Sequence, residues 1–358
     1  MTNIRWIAQL VLSIAALSGG AQNPATGSQS TVPAQQPSFD DAKSLAAKGR
    51  LDQALDELNV LATASPEQAG VERLRGVILY QKDQLPAAEA AFRRAMAQDA
   101  GDLESTQMWG FTLYRLGRPA EAIPLLEGAL KQAGAATPTS ANADPRYVLG
   151  LCYTDTKRFD DARHAFSAQF AFAPDSAEAY LVTARLFLRH EFTDQADMFA
   201  GRAVELNPTL PLAHQLLGEI ALAKADLPRA VKEFEAEKKI NPLDGAMYDR
   251  LGDAYLRNGQ FDEARAVLNK AVLLEPNATG PYILLGEALV KLGEPIQAIH
   301  YLNRAATMDP GNYVTHNALG EAYRALGQKA DSNREYKLAL EIQHRSDPKP
   351  ENQLSGAH

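Results

Sequence analysis

Apolar and polar positions along most of this chain follow helical spacing. In the segment 245–278, Tyr248, Leu251 and Tyr255 fall at i, i+3 and i+7, the stripe presented by one face of a buried helix. A second stripe, Phe261, Leu268 and Ala271, follows beyond Gly259, a residue suited to the left-handed turn that ends a helix. Pro276 then blocks continuation of the second helix. The pattern predicts a helix–turn–helix hairpin and an all-α chain.

The hairpin is repeated. Pro174, Pro208, Pro242, Pro276 and Pro310 stand 34 residues apart, and Leu149-Gly150, Leu217-Gly218, Leu251-Gly252, Leu285-Gly286 and Leu319-Gly320 recur in one phase. Nine units then begin at residues 35, 69, 103, 143, 177, 211, 245, 279 and 313, the first three covering 35–136 and the other six 143–346. The one break in phase is a six-residue insertion, 137–142, read as a longer loop in preference to a bend between two sub-stacks. Asp144-Pro145 after it suits a helix N-cap and first turn. Position 8 of the unit is Gly or Ala throughout, and position 20 is Ala in eight units and Ser332 in the ninth. Small residues there let two helix backbones approach closely. Ser38 and Asp41 replace large residues in the first unit, and the helix expected from Lys329 to His344 is crowded with charge. Polar terminal units of this kind cap the ends of a stack.

The motif resembles the tetratricopeptide repeat (TPR) family: Trp or Tyr, Leu-Gly and Tyr in the first helix, then Ala, an aromatic or Leu, Ala and Pro. Unit 245–278 matches at Tyr248, Leu251, Gly252, Tyr255, Ala264, Leu268, Ala271 and Pro276. The resemblance implies a right-handed α-solenoid of about nine TPR hairpins whose first helices line a concave groove, with positions 2, 5, 9, 12 and 13 facing a partner. Position 9 then carries Glu219, Asp253, Glu287 and Glu321, and position 12 carries Leu188, Leu222, Leu256 and Val290. Nearer the amino end the same surface holds Tyr80, Phe111, Tyr114 and Tyr147. Carboxylates beside an apolar floor suit a peptide or protein with spaced basic and apolar side chains. The plainer reading is that Asp253–Arg257 and Glu287–Lys291 neutralise each other one turn apart, and that the position-12 residues pack neighbouring repeats. Members that capture acidic chaperone tails carry Lys and Asn where this chain has Asp249/Asp253, Ile283/Glu287 and Asn317/Glu321, so that ligand is excluded.

Composition adds less. The net charge of −8 gives no footprint for nucleic acid. The single cysteine, Cys152, rules out an intrachain disulfide and takes a slot otherwise held by small apolar residues. His214 and His316 occupy the position-4 slot of a packed aromatic, and Trp109 a core slot; His164 and His300 lie in distant units. No phosphate-loop, dinucleotide-loop, metalloprotease or nucleophile-elbow spacing occurs, so no enzyme activity, cofactor or metal site is expected. Residues 1–21 read as a signal peptide cleaved before Gln22, with an apolar stretch, Trp6 to Leu17, too short to span a bilayer. Residues 22–37 read as a flexible linker and 347–358 as a polar tail. No stable membrane insertion is expected once the leader is removed.

The expectation is therefore a non-enzymatic scaffold, periplasmic or secreted, working in cell-envelope assembly or secretion as the resemblance implies. The alternatives are a regulatory subunit positioning an envelope enzyme, such as a glycan-processing one, and a self-associating structural solenoid.

Overall fold

A computed structural model describes residues 37–64, 68–134 and 144–346. The leader at 1–21, the linker apart from Pro37, the insertion at 137–142 and the tail at 347–358 lie outside the described residues. Among the described residues there are eighteen helices and no strand. Two helices fall in each 34-residue frame, from α1 (Phe39–Ala47) and α2 (Leu51–Leu61) to α17 (Tyr313–Ala325) and α18 (Lys329–Ser346).

The chain forms two compact units, which divide between Asp175 and Ser176. The first holds α3 (Val71–Gln81), α4 (Leu85–Gln98), α5 (Leu103–Arg115), α6 (Pro119–Ala133), α7 (Pro145–Asp155) and α8 (Phe159–Gln169) after α1 and α2. The second begins with α9 (Ala177–Arg189), α10 (Thr193–Leu206), α11 (Ala213–Ala223) and α12 (Leu227–Ile240). It continues with α13 (Gly245–Arg257), α14 (Phe261–Leu274), α15 (Thr279–Lys291) and α16 (Pro295–Met308) before α17 and α18. Within each unit every helix packs on the next, the arrangement of a stack of hairpins.

One hairpin illustrates the construction. The Asp244 side chain accepts from the Met247 backbone N–H at 3.1 Å and so caps α13. Tyr248, Leu251 and Tyr255 are buried along one face, as their spacing predicts. The helix stops at Gly259, whose φ of +77° directs the Gln260 N–H back to the Tyr255 carbonyl at 2.9 Å. Helix α14 returns with Ala264, Leu268 and Ala271 buried. Gly252 lies against Leu268 so closely that an added Cβ would come within 2.4 Å of its side chain.

That contact recurs between positions 8 and 24 of most units. Gly76 meets Phe92, Gly110 meets Leu126, Gly150 meets Phe166, Gly218 meets Phe234, Gly286 meets Leu302 and Gly320 meets Tyr336. The three phenylalanines of this set, Phe92, Phe166 and Phe234, are fully buried, each worth roughly 1.5–3 kcal/mol of transfer free energy. Alanine at position 8 occurs at Ala42 and Ala184, where position 24 is Leu58 and Ala200, both smaller than phenylalanine.

Successive repeats are also fastened by polar contacts. The Tyr248 and Tyr282 hydroxyls donate to the carbonyls of Pro242 and Pro276, each at 3.2 Å. His214 and His316 stand in the same slot, with Nε2 3.3 Å from the Pro208 and Pro310 carbonyls. Their Nδ1 atoms face Glu233 at 2.7 Å and Glu335 at 2.9 Å, and Glu233 holds the His214 imidazole above its ordinary pKa. These histidines are packed structural groups. Cys152 is fully buried, and burial pushes its thiol up to about 12, so it behaves as a small apolar residue.

The turn between the two helices is more uniform than its sequence. Gly49, Gly117, Gly259, Gly293 and Gly327 have positive φ, and so do Asp83, Lys157, Glu191 and Ala225 at the same position of the other units. For a residue with a Cβ this conformation costs roughly 1–2 kcal/mol. Ala225→Gly, at φ +58°, is expected to stabilise the second unit by about 1 kcal/mol despite the extra freedom glycine gives the unfolded chain. Urea denaturation of the two proteins side by side measures this.

Candidate functional site

In the second unit the first helices α13, α15 and α17 pack side by side, as do α9 and α11. This brings the two columns onto one surface. Leu188, Leu222, Leu256 and Val290 are half-buried, and the last three pack against the unit's core while keeping part of their surface in solvent. The packing role foreseen for position 12 is thus filled by these three side chains.

The carboxylates of position 9 differ among themselves. Glu219 faces two arginines from neighbouring helices, Arg250 at 3.2 Å and Arg185 at 3.8 Å, and accepts from the Gln215 amide at 2.8 Å. Arg185 itself occupies position 9, so a cation heads the acidic column. Asp253 lies 3.7 Å from Arg257, the neutralising pair expected one turn on. Glu321 is held by Arg324 and by the Tyr336 hydroxyl, which donates to it at 3.0 Å. Glu287 makes no ion pair within 4.0 Å among the described residues, Lys291 included. Its burial and the nearby Asp253 push its carboxyl up, and Lys291 opposes this.

Asp249, one turn before Asp253, completes the uncompensated part of the surface. Its Oδ1 is buried without a hydrogen-bond partner, and a Cβ on Gly280 of α15 would meet Oδ2 at 3.4 Å. Burial first, then repulsion from Glu275 and Asp253, lifts its pKa to about 6, while Arg250 opposes. A folded-state pKa above the ordinary 3.8 means that ionisation is resisted by the fold, so this cost is full at neutral pH and is relieved progressively as pH falls from about 6 to 3.8. Asp249→Asn is expected to stabilise the protein by about 1 kcal/mol at pH 7.5, a value discounted for partial exposure. The gain should fall to about half at pH 5 and vanish only below about pH 3.8, where the unfolded carboxyl is protonated as well. Denaturation at the two pH values checks both halves.

Glu287, Val290 and Glu321 come together with Val314, Asn317 and Tyr336 around a cavity of about 420 Å³. Val314, Tyr336 and the Glu219–Arg250 pair escaped the column reading, because they depend on contacts between helices and not on one helix face. The position-5 column did contain the signal for Asp249, a carboxylate one turn from another on the same face.

In the first unit the aromatic candidates are more deeply placed. Tyr80 and Phe111 are 6% and 5% exposed, which leaves little more than a ring edge on the surface. Arg115 lies over the Tyr80 ring at 4.6 Å and donates to its backbone carbonyl at 3.2 Å. Tyr114 and Tyr147 are half-buried neighbours, burial raising the Tyr114 hydroxyl pKa, and the Tyr147 ring lies 5.9 Å from that of Phe166.

Tetratricopeptide repeat models match residues 39–102 and 283–348 and, separately, 113–186. A third, described as a TPR repeat, matches 252–293. The chain is 24% identical over 179 residues to superkiller protein 3 of Schizosaccharomyces pombe, covering 47% of this chain and 12% of that protein. It is 26% identical over 248 residues to superkiller complex protein 3 of Mus musculus, covering 64% of this chain and 15% of that protein. The chain thus spans less than a sixth of these relatives. Among solved structures it resembles YrrB, described as a TPR protein with an unusual peptide-binding site, at a TM-score of 0.46 and 22% identity, over 51% of this chain and 95% of that one.

Proposed function

Since this chain belongs to the tetratricopeptide repeat family, we propose that it is a non-enzymatic scaffold holding a peptide or protein with spaced basic and apolar side chains against its first helices. The TPR fold supports a role as a protein–protein interaction scaffold. The observation that carries the finer reading is the pairing of half-exposed Leu222, Leu256 and Val290 with two carboxylates, Asp249 and Glu287, that make no ion pair within 4.0 Å among the described residues. Half-buried apolar side chains gain from further burial, and a basic partner offsets carboxylates that the fold itself leaves costly. The name of the mouse relative, a protein of a complex, agrees with a life among protein partners. Export to the periplasm or medium, and work in envelope assembly or secretion, rest on the leader-like residues 1–21.

Affinity capture from an envelope extract with residues 22–358, beside a Leu222→Glu/Leu256→Glu variant shown by circular dichroism to be folded, tests the surface. A discrete protein retained by the first should fall more than about tenfold on the second, since the variant removes two central apolar contacts. Equal capture by both would place the binding surface elsewhere.

A further inference from the structure

The cavity between α15 and α17 is where the apolar and acidic columns of the second unit meet. Val290, Val314 and Tyr336 line it together with Glu287 and Glu321. Tyr336 cannot retreat easily: its ring lies against Gly320, where an added Cβ would sit 2.7 Å away, and its hydroxyl is tied to Glu321. Val314 is 39% exposed, a β-branched apolar side chain left on the wall of an open pocket. At about 420 Å³ the space exceeds the roughly 150 Å³ cavity that accepts benzene, so one large side chain and its flanking backbone fit.

The two carboxylates are unequal. Glu321 is already neutralised by Arg324. Glu287 is half-buried, has Asp253 as a like-charged neighbour, and makes no ion pair among the described residues. Lys291 also lines the pocket but forms no ion pair with Glu287. A carboxylate stripped of part of its water and left without a donor is costly, and a cation brought by a partner removes that cost.

We propose that this pocket anchors a partner segment in which a leucine- or phenylalanine-sized side chain is followed or preceded, within one helical turn, by lysine or arginine. The apolar group seats against Val290, Val314 and Tyr336, and the cation lies beside Glu287. The proposal rests on the scaffold reading above and narrows it to one end of the surface and one pair of side chains. Rigid apolar anchors in preformed pockets carry most of the affinity in such contacts, while the adjoining charge selects among partners.

Selection of a random 12-residue peptide library on the folded chain tests this without naming a partner. Enriched peptides are expected to share a large apolar residue within four positions of a Lys or Arg. Glu287→Gln should weaken them about tenfold at low salt, and Val314→Asn about fivefold. Both changes are at partly exposed positions, and circular dichroism confirms that each variant is folded. Enriched peptides without a cation, or peptides held equally well by both variants, overturn the pocket assignment. If such peptides are nevertheless lost on Leu222→Glu/Leu256→Glu, the wider surface survives and only the anchor point is wrong. If no enriched peptide depends on any of these residues, the pocket and the scaffold surface fall together.

Discussion

Glu237→Ala is expected to cost about 3–4 kcal/mol, the range for removing one partner from a buried, hydrogen-bonded charge. Glu237 is fully buried on α12, and its carboxylate reaches the start of α11. Oε1 accepts from the Leu212 N–H at 2.9 Å and Oε2 from the Gln215 N–H at 3.3 Å, with the Asn241 amide alongside. Leu212, at the N-cap of α11, has φ +70° and offers no side-chain cap. The carboxylate from the following helix therefore supplies the missing acceptor and sits at the positive end of the α11 dipole. Glu237→Gln keeps the shape, loses the charge and turns an amide N–H₂ towards one of two backbone donors, so about half the loss is expected. Urea denaturation gives the magnitude. Hydrogen exchange gives the location: the Leu212 and Gln215 amides should lose protection first, and uniform loss across the unit would show that Glu237 is not a local cap.

Gly150→Ala should be destabilising by about 2 kcal/mol, opposite in sign to the ~1 kcal/mol that alanine gains over glycine in an open helix. The new Cβ would fall 2.4 Å from the Phe166 ring, which is fully buried and has no room to turn away. The double variant Gly150→Ala/Phe166→Ala recreates the Ala184 and Ala200 combination of the fifth repeat. It should be more stable than the sum of the single changes requires, by about 1 kcal/mol or more. Additive behaviour in that cycle would mean that the two side chains do not compete for the same space.

Much of the architecture was legible because it repeats. The stripes at Tyr248, Leu251 and Tyr255, the small residues at positions 8 and 20, and the spaced prolines each predict the same hairpin, and agreement among them is stronger than any one. The turn was only half legible: glycine marked it in five units, while Asp83, Lys157, Glu191 and Ala225 adopt the same left-handed conformation because the two helices impose it. Glu237 and Leu212 were not legible at all. One stands where the repeat expects alanine and the other at a helix start without a cap, and only their contact across 25 residues makes sense of both. The same holds for the candidate surface. Helical position alone brings Glu219, Asp253, Glu287 and Glu321 into line, but Arg250 reaching back to Glu219 and Tyr336 reaching across to Glu321 decide which of them stay uncompensated.

The matched sizes at positions 8 and 24 bear on how such a chain can be rearranged. A bare glycine opposite Phe166, Phe234 or Leu268, and alanine opposite Ala200, are alternative lock-and-key fits within single hairpins. Transplanting α9 onto α8 would set the Ala184 methyl where Phe166 needs an empty space, whereas moving α11 there would bring Gly218 and keep it. Single helices are therefore interchangeable only within a size class, while a whole hairpin carries its own complement with it. Shuffling, duplication or deletion in this chain should respect the hairpin as the indivisible module.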